Sequence, residues 1–197
     1  MKKRFFACAL LVLCLSVVTE GTLAYFTAED VAHNVITSGG VDIAIREWQD
    51  PDGDGTWEPY PEEPQSVMPG SVLSKIVTVV NEDAESYIRA KFVVTVTDAA
   101  GETMELDAAA KAKLVRLNVD EESWIGAGDW WYYAAPVAQD GVTKPLFTEV
   151  EFDGPTMTNE YQGCTIEIDV SAQAVQTANN PIPDGGNVTG VKGWPNA

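Results

Sequence analysis

The feature of this sequence that most restricts its fold is a pair of long segments in which apolar and polar residues alternate. In the segment 87–97, every second residue is apolar, and most of the residues between them are polar. The segment 163–176 follows the same pattern, with an apolar series that runs from Cys164 to Ala174. Successive side chains of a β-strand point to opposite faces, so each segment predicts a strand with one buried face. One-sided strands of this kind are typical of antiparallel sheets.

The remaining chain predicts further, shorter strands, which lie at 41–46, 72–80, 115–119, 132–137 and 146–152. Turn sequences such as Pro69-Gly70 and Asp140-Gly141 lie between them. Only the stretch LDAAAKAK favours a helix, and it is long enough for about two turns. This pattern predicts an all-β fold, an antiparallel β-sandwich with Greek-key or jelly-roll connections and one short helix.

The first 24 residues have the features of a secretory signal peptide. Three basic residues precede an apolar run over 5–18, and small residues follow at Thr22 and Ala24. The pattern predicts cleavage by a signal peptidase between Ala24 and Tyr25 during export. The apolar run is shorter than the roughly 20 residues that span a bilayer, so we expect no stable membrane anchor after cleavage.

We therefore expect three regions in the chain. The signal peptide covers 1–24, a single β-sandwich domain covers 25–178, and a flexible tail covers 179–197. The tail is rich in glycine, proline and asparagine. Within the domain, the segment 25–37 lacks a clear period, so it can form a strand without being required to pair in its own domain.

The charge of the chain excludes several classes of partner. Removal of the first 24 residues leaves nine basic and 29 acidic residues, a formal charge of about −20. A surface this acidic repels phosphate backbones and anionic lipids, so we expect no nucleic-acid partner. It also makes copies of the chain repel one another, and self-association must then depend on short-range contacts.

After cleavage, Cys164 is the only cysteine of the chain. A nucleophile or an intermolecular disulfide is one interpretation of this residue, and a buried apolar side chain is the other. The alternation places Cys164 on the same face as Ile166 and Ile168, which favours the buried side chain.

An acidic loop over 49–65 contains a candidate calcium site. Asp50, Asp52 and Asp54 alternate in the manner of a calcium loop, and Glu58, Glu62 or Glu63 can supply a further carboxylate. The glutamate expected at the twelfth position of such a loop is replaced by Pro61. A solvated acidic turn is an equally good interpretation. Calcium is the one cofactor that the sequence suggests.

Catalytic signatures are weak in this sequence. A zinc peptidase needs converging histidines, and the chain has one histidine, His33. Serine and cysteine hydrolases would depend on the same residue, and no nucleophile elbow is present. The aromatic residues Trp124 and 130–133 indicate core and hairpin packing, with a sugar or peptide platform as the alternative.

Several blocks of the sequence resemble the TasA/camelysin family of exported Gram-positive proteins, which carry a SipW-dependent type of signal peptide. The first block is GTLAYFT with the GGVDIAI strand, and the second is VMPGSVLSKIVTVVNEDAESYIRAKF. The later blocks are WWYY, KPLFTEVEF and NEYQGCTIEIDVSAQAVQTANN. Together they run from Gly21 to about Asn180, in the order and spacing of the family.

The resemblance implies a β-sandwich of jelly-roll type that is secreted as a structural subunit of biofilm-matrix fibres, located in the extracellular matrix or at the cell surface. Its partners would be other copies of itself or related matrix subunits, joined when the N-terminal strand of one subunit completes a sheet of the next. The apolar residues of that donor strand would be Tyr25, Phe26, Val31, Val35 and Ile36. Two alternatives remain: a camelysin-like, metal-dependent secreted peptidase, and a monomeric extracellular adhesin or ligand-binding module.

Overall fold

The structure is a computed structural model that describes residues 26–29, 34–37 and 41–195. Within these residues the chain forms strands, one α-helix and two short 3-10 helices. The strands are β1 (Phe26–Glu29), β2 (Asn34–Thr37), β3 (Ile43–Gln49), β4 (Glu58–Pro59), β5 (Gln65–Val67), β6 (Val72–Ser74), β7 (Ile76–Asn81), β8 (Ser86–Thr97), β9 (Val115–Leu117), β10 (Trp124–Ala127), β11 (Trp130–Tyr133), β12 (Glu149–Phe152) and β13 (Thr165–Gln176). The helix α1 covers Ala108–Leu114, and the 3-10 helices cover Asn159–Tyr161 and Val188–Gly190.

The largest sheet is built on the two strands that the alternating segments predict. β8 and β13 pair antiparallel over 12 residues, from Thr97 opposite Thr165 to Ser86 opposite Gln176. The order of the sheet is β10-β11-β8-β13-β1-β5, and β2 also pairs with β13. We call it the main sheet. Its two central strands bury alternate residues, so the periodicity of the sequence sets which face meets the core.

The second layer is made of two three-stranded sheets, ordered β4-β3-β7 and β6-β12-β9. Backbone hydrogen bonds join the two, because β7 pairs with the segment that leads into β12. The Leu146 amide donates to the Val77 carbonyl at 2.8 Å, and the Lys75 amide donates to the Thr148 carbonyl at 3.0 Å. The sequence predicted one strand over 72–80, and the structure divides it at Lys75 into β6 and β7.

The apolar faces of the two layers enclose one core. Ile88, Ile166, Phe147 and Phe152 are among its fully buried members. The predicted all-β sandwich with one helix is therefore confirmed. The pairings of β1 and β2 with β13 are parallel, which the alternation of a single strand could not reveal, because it carries no information on the direction of the neighbour.

A second, smaller apolar cluster lies on the outer face of the main sheet. Residues 180–195, which we call the C-terminal strap, bring Val188, Val191 and Trp194 against Tyr87 and Tyr132. The sequence predicted a flexible tail over 179–197, whereas the structure packs the strap through these three apolar residues. They recur at every third position, which matches neither the period of two of a strand nor the 3.6-residue period of an α-helix, and they lie in a Gly- and Pro-rich segment.

The helix α1 lies where the sequence predicts it. Asp107 caps its first turn, since the carboxylate accepts a hydrogen bond from the Ala110 amide at 2.7 Å. Leu114 at the other end is fully buried and anchors the helix to the core.

Candidate assembly site

The candidate assembly site is the edge of β13 that faces away from β8, where the contacts are backbone pairings. Two short strands occupy this edge in parallel orientation. β1 pairs with Thr165–Glu167 in three positions, and β2 pairs with Ser171–Ala174 in four. β1 is also bound on its other side by β5 in antiparallel orientation. The edge of β13 is thus covered by two separate ladders instead of one continuous strand.

The structure places three of the five predicted donor residues in β1 and β2, and two of the three pair with β13. Phe26 lies in β1 opposite Val67 of β5, and Val35 and Ile36 lie in β2 opposite Ala172 and Gln173. Tyr25 and Val31 lie outside the described residues. The predicted cleavage site between Ala24 and Tyr25 also lies outside the described residues, so cleavage at this bond stays a prediction.

The acidic loop directs its carboxylates to its own backbone. Asp50 accepts hydrogen bonds from the amides of Asp54 at 3.1 Å and Gly55 at 3.0 Å. Asp54 in turn accepts from the Thr56 amide at 2.7 Å, and Glu58 accepts from the Gln49 side chain at 2.9 Å.

These bonds fold the loop into a turn without any added ion. In the described residues, no three or more histidine, cysteine, aspartate or glutamate side chains are grouped to hold a metal. Asp50, Asp52, Asp54 and Glu58 are therefore not brought together in this structure, and calcium binding stays a prediction.

The aromatic residues of the predicted hairpin form β10 and β11. Trp124 is almost fully buried, and its indole N–H donates to the carbonyls of Lys144 and Pro145 at 3.2 and 3.1 Å. Trp131 and Tyr133 pack against the main core, while Trp130 and Tyr132 belong to the outer cluster. The rings are thus divided between the two faces of one hairpin, as alternation along a strand requires.

Arg89 is the most unusual buried residue of the outer cluster. Its guanidinium carbon lies 4.2 Å from the ring centroid of Trp130 and 4.7 Å from that of Trp194. The same group donates two hydrogen bonds to the side-chain oxygen of buried Gln173, at 3.0 and 2.5 Å, and a third to the Tyr132 hydroxyl. Two tryptophan rings, the Gln173 amide, the Tyr132 phenol and the Pro195 carbonyl contact this cation. Among the described residues no carboxylate forms an ion pair with it.

Sequence reasoning missed this arrangement. Arg89 falls on the polar face of a one-sided strand, where a solvated charge is the ordinary expectation. The available signal was that Tyr87 and Val175 interrupt the polar faces of β8 and β13 at neighbouring positions of the sheet. Apolar residues on both strands at one place indicate that a further segment covers that face.

Cys164 is buried at the start of β13, in agreement with the interpretation from alternation. Its sulfur lies 3.7 Å from the Met104 sulfur. Burial raises the pKa of the thiol, and the nearby charge of Asp98 adds to the effect. A buried thiol with a raised pKa is a poor nucleophile, because the reactive species is the thiolate.

In the described part of the chain, none of the helices combines the length and the apolar character needed to cross a membrane. Comparison with family models, with curated proteins and with solved structures finds no match to this chain.

Proposed function

We propose that the chain is a secreted, non-enzymatic structural subunit of extracellular matrix fibres, and that copies join by exchange of the N-terminal segment. The observation that carries the proposal is the two-part occupation of the β13 edge by β1 and β2. Those strands belong to the segment that the expected cleavage after Ala24 would leave at the mature N-terminus.

Exchange between copies conserves the contacts that each subunit needs. A segment that pairs with its own β13 makes the same backbone hydrogen bonds when it pairs with the β13 of a neighbour. The ladders cover three and four residues, whereas β8 holds β13 through 12. The N-terminal segment is therefore the part of the main sheet that separates from β13 with the smallest loss of pairing.

Such an exchange continues from one subunit to the next. Each subunit offers one segment and one β13 edge, which are different surfaces, so the contact is head-to-tail and extends into a filament when it does not close into a ring. Without a segment, the edge of the 12-residue strand β13 would leave backbone groups unpaired, and the segment of a neighbour can restore that pairing.

The experiment compares two forms of the exported chain by electron microscopy. The chain that begins at Tyr25 is expected to form filaments, whereas a chain that begins at Ser38 is expected to give single particles. Addition of a synthetic peptide of residues 25–37 to the shorter form is expected to restore its stability without giving filaments, because a free peptide fills the edge but connects nothing.

Filaments from the form that begins at Ser38 would overturn the proposal. Single particles from the longer form at every concentration and ionic condition would overturn it too. Casein hydrolysis by the purified chain that a chelator abolishes would instead favour a metal-dependent peptidase.

A further inference from the structure

A groove of about 900 Å³ opens between the two layers, on the side of β8 that faces away from β13. Its walls come from β8, α1, β9 and the turn between β10 and β11. The volume lies within the range of about 300–1,000 Å³ that is usual for binding sites. It is separate from the β13 edge, so it plays no part in the proposed strand exchange.

One wall of this groove is an unpaired strand edge of the main sheet. β11 covers only two residues of the second edge of β8, and the pairing stops at Ala90. The Met104 amide donates to the Val96 carbonyl at 2.8 Å, which places the backbone groups of the even-numbered residues on the side away from β13. The backbone groups of Phe92 and Val94 therefore point to the groove, and no strand among the described residues pairs with them there.

The opposite wall is a second strand edge. β9 pairs with β12 alone among the strands that the structure describes. The Asn118 amide donates toward β12, to the Glu149 carbonyl at 3.4 Å, so the backbone of Leu117 points the other way, into the groove. A gap bordered by two strand edges accepts an extended backbone better than a compact ligand.

The lining is apolar, and it is much less acidic than the chain as a whole. Three of the 12 basic residues of the chain face two of its 30 acidic residues here, the reverse of the overall balance. Arg116 is paired with Glu151 and Asp153, whereas Lys111 forms no ion pair with a described residue. Phe92, Leu117 and Trp131 are among the apolar lining residues, Lys91 is the remaining basic one, and Glu121 and Asp129 are the acidic ones.

We propose that this groove binds an extended peptide segment of another protein, with apolar side chains at alternate positions and carboxylates at its ends. The segment pairs with β8 at Phe92 and Val94 and so extends the main sheet beyond Ala90. Its apolar side chains pack against the lining, and its carboxylates face Lys91 and Lys111. About five residues of peptide match the open edge over 91–95, at roughly 3.4 Å for each residue.

The test uses the chain from Tyr25 to Ala197, which retains every strand described, and three fluorescent nonapeptides. The first alternates valine and threonine between terminal aspartates, the second has lysines at the ends, and the third has prolines at the two central threonines. Fluorescence anisotropy measures the three affinities. Hydrogen exchange at the amides of Phe92, Val94 and Leu117 shows where the peptide binds.

The first peptide is expected to bind at least about tenfold more tightly than the other two, because lysine removes the charge match and proline removes backbone donors. It should also slow exchange at the Phe92 and Val94 amides. Lys111→Glu is expected to weaken binding about tenfold. Lys113→Glu, a change on the same helix outside the groove, should leave binding within about twofold.

Equal binding of the first and third peptides would overturn backbone pairing, and equal effects of the two lysine variants would overturn the location. Binding of dodecanoate at these residues without binding of the first peptide would assign the groove to an anionic amphiphile and overturn the proposal. Since neither lysine lies on the β13 edge, filament formation by both variants keeps this test independent of the proposed assembly.

Discussion

At the scale of single residues, the buried guanidinium group of Arg89 is stabilised by stacking on the rings of Trp130 and Trp194. A guanidinium group keeps its charge when buried, and its flat face packs on aromatic rings, which an ammonium group cannot do as well. The two hydrogen bonds to Gln173 need the forked geometry of arginine. Arg89 therefore joins β8, β11, β13 and the strap at one point.

We expect Arg89→Lys to lower the free energy of unfolding by about 1–2 kcal/mol and Arg89→Ala by about 2–4 kcal/mol. The larger loss follows because alanine leaves Gln173 buried without its partner. Urea denaturation measures both. The control is Arg46→Ala, which removes an exposed ion pair with Glu82 and should cost at most about 1 kcal/mol. Similar losses for Arg46→Ala and Arg89→Ala would contradict a stabilising role for the buried guanidinium group.

Cys164 gives the protein a sensitivity to alkaline pH. Because burial raises the pKa of the thiol in the folded state, the unfolded state loses this proton at a lower pH. Stability from this residue is complete below the ordinary thiol pKa and is lost as the pH rises toward the folded value. Tyr161 acts in the same direction, since burial raises its pKa as well.

We therefore expect the free energy of unfolding to decline above pH 9. The decline should be shallower in Cys164→Ala than in the parent chain, because Tyr161 alone then contributes. Urea denaturation at intervals of pH measures both slopes. Equal slopes would show that the thiol has the same pKa in the folded and unfolded states.

At the scale of elements, Lys75 lies at the break between β6 and β7. Its ammonium group is 2.9 Å from a Glu47 carboxylate oxygen and 4.0 Å from the ring centroid of Tyr60. The two charged side chains are only 3% and 9% exposed. This contact holds the base of the acidic loop against the second layer. It lies where the chain passes from β6, which pairs with β12, to β7, which pairs with β3.

We expect Lys75→Met to cost about 3–5 kcal/mol, because it removes the cation that faces the buried Glu47 carboxylate. The double variant Lys75→Met with Glu47→Leu should regain most of that loss, since two apolar side chains of similar size replace both charges. Thermal or urea denaturation of the four proteins in the cycle measures the coupling. A double variant as unstable as the single one would show that the damage comes from packing around Lys75.

The elements that the sequence predicted correctly are those that depend on short-range sequence patterns. The strands β8 and β13, the helix α1 and the Pro69-Gly70 turn all lie where the sequence placed them, because alternation, helix propensity and turn residues act over short distances. Gly70 has φ of 81°, the left-handed conformation that the turn requires.

The features that sequence reasoning missed depend on distant neighbours. The strap reaches the main sheet from a position more than 80 residues beyond its strand β8, and no periodicity spans such a distance. The groove exists because β11 stops pairing with β8 after two residues, which no residue of β8 signals. The alternation of aspartates in the acidic loop did not show that the carboxylates of Asp50 and Asp54 accept hydrogen bonds from amides of the same loop.

At the scale of the whole molecule, charge opposes assembly. The formal net charge is −18, and copies at short distance repel one another unless salt screens them. If assembly depends on strand exchange, we expect filaments to form faster as sodium chloride rises from about 0.01 to about 0.3 M, since the screening length falls from about 30 Å to below 10 Å. Light scattering and electron microscopy measure the rate.

Calcium chloride at equal ionic strength separates screening from specific binding. A faster rate in calcium that Asp50→Asn with Asp54→Asn abolishes would support the predicted calcium loop. Equal rates in the two salts would leave general screening as the whole effect. A rate that falls with added salt would show that charge repulsion does not limit assembly.

The outer cluster is complete only after the C-terminal strap has packed on the main sheet. Arg89 bonds to Gln173, 84 positions later, and to the Pro195 carbonyl, 106 positions later. Its contacts are therefore complete only after both of these distant segments have packed. Until the strap has packed, the rings of Trp130 and Tyr132 therefore lie uncovered on the outer face of the main sheet. Partly folded copies would associate first through these rings, and packing of the strap ends their exposure.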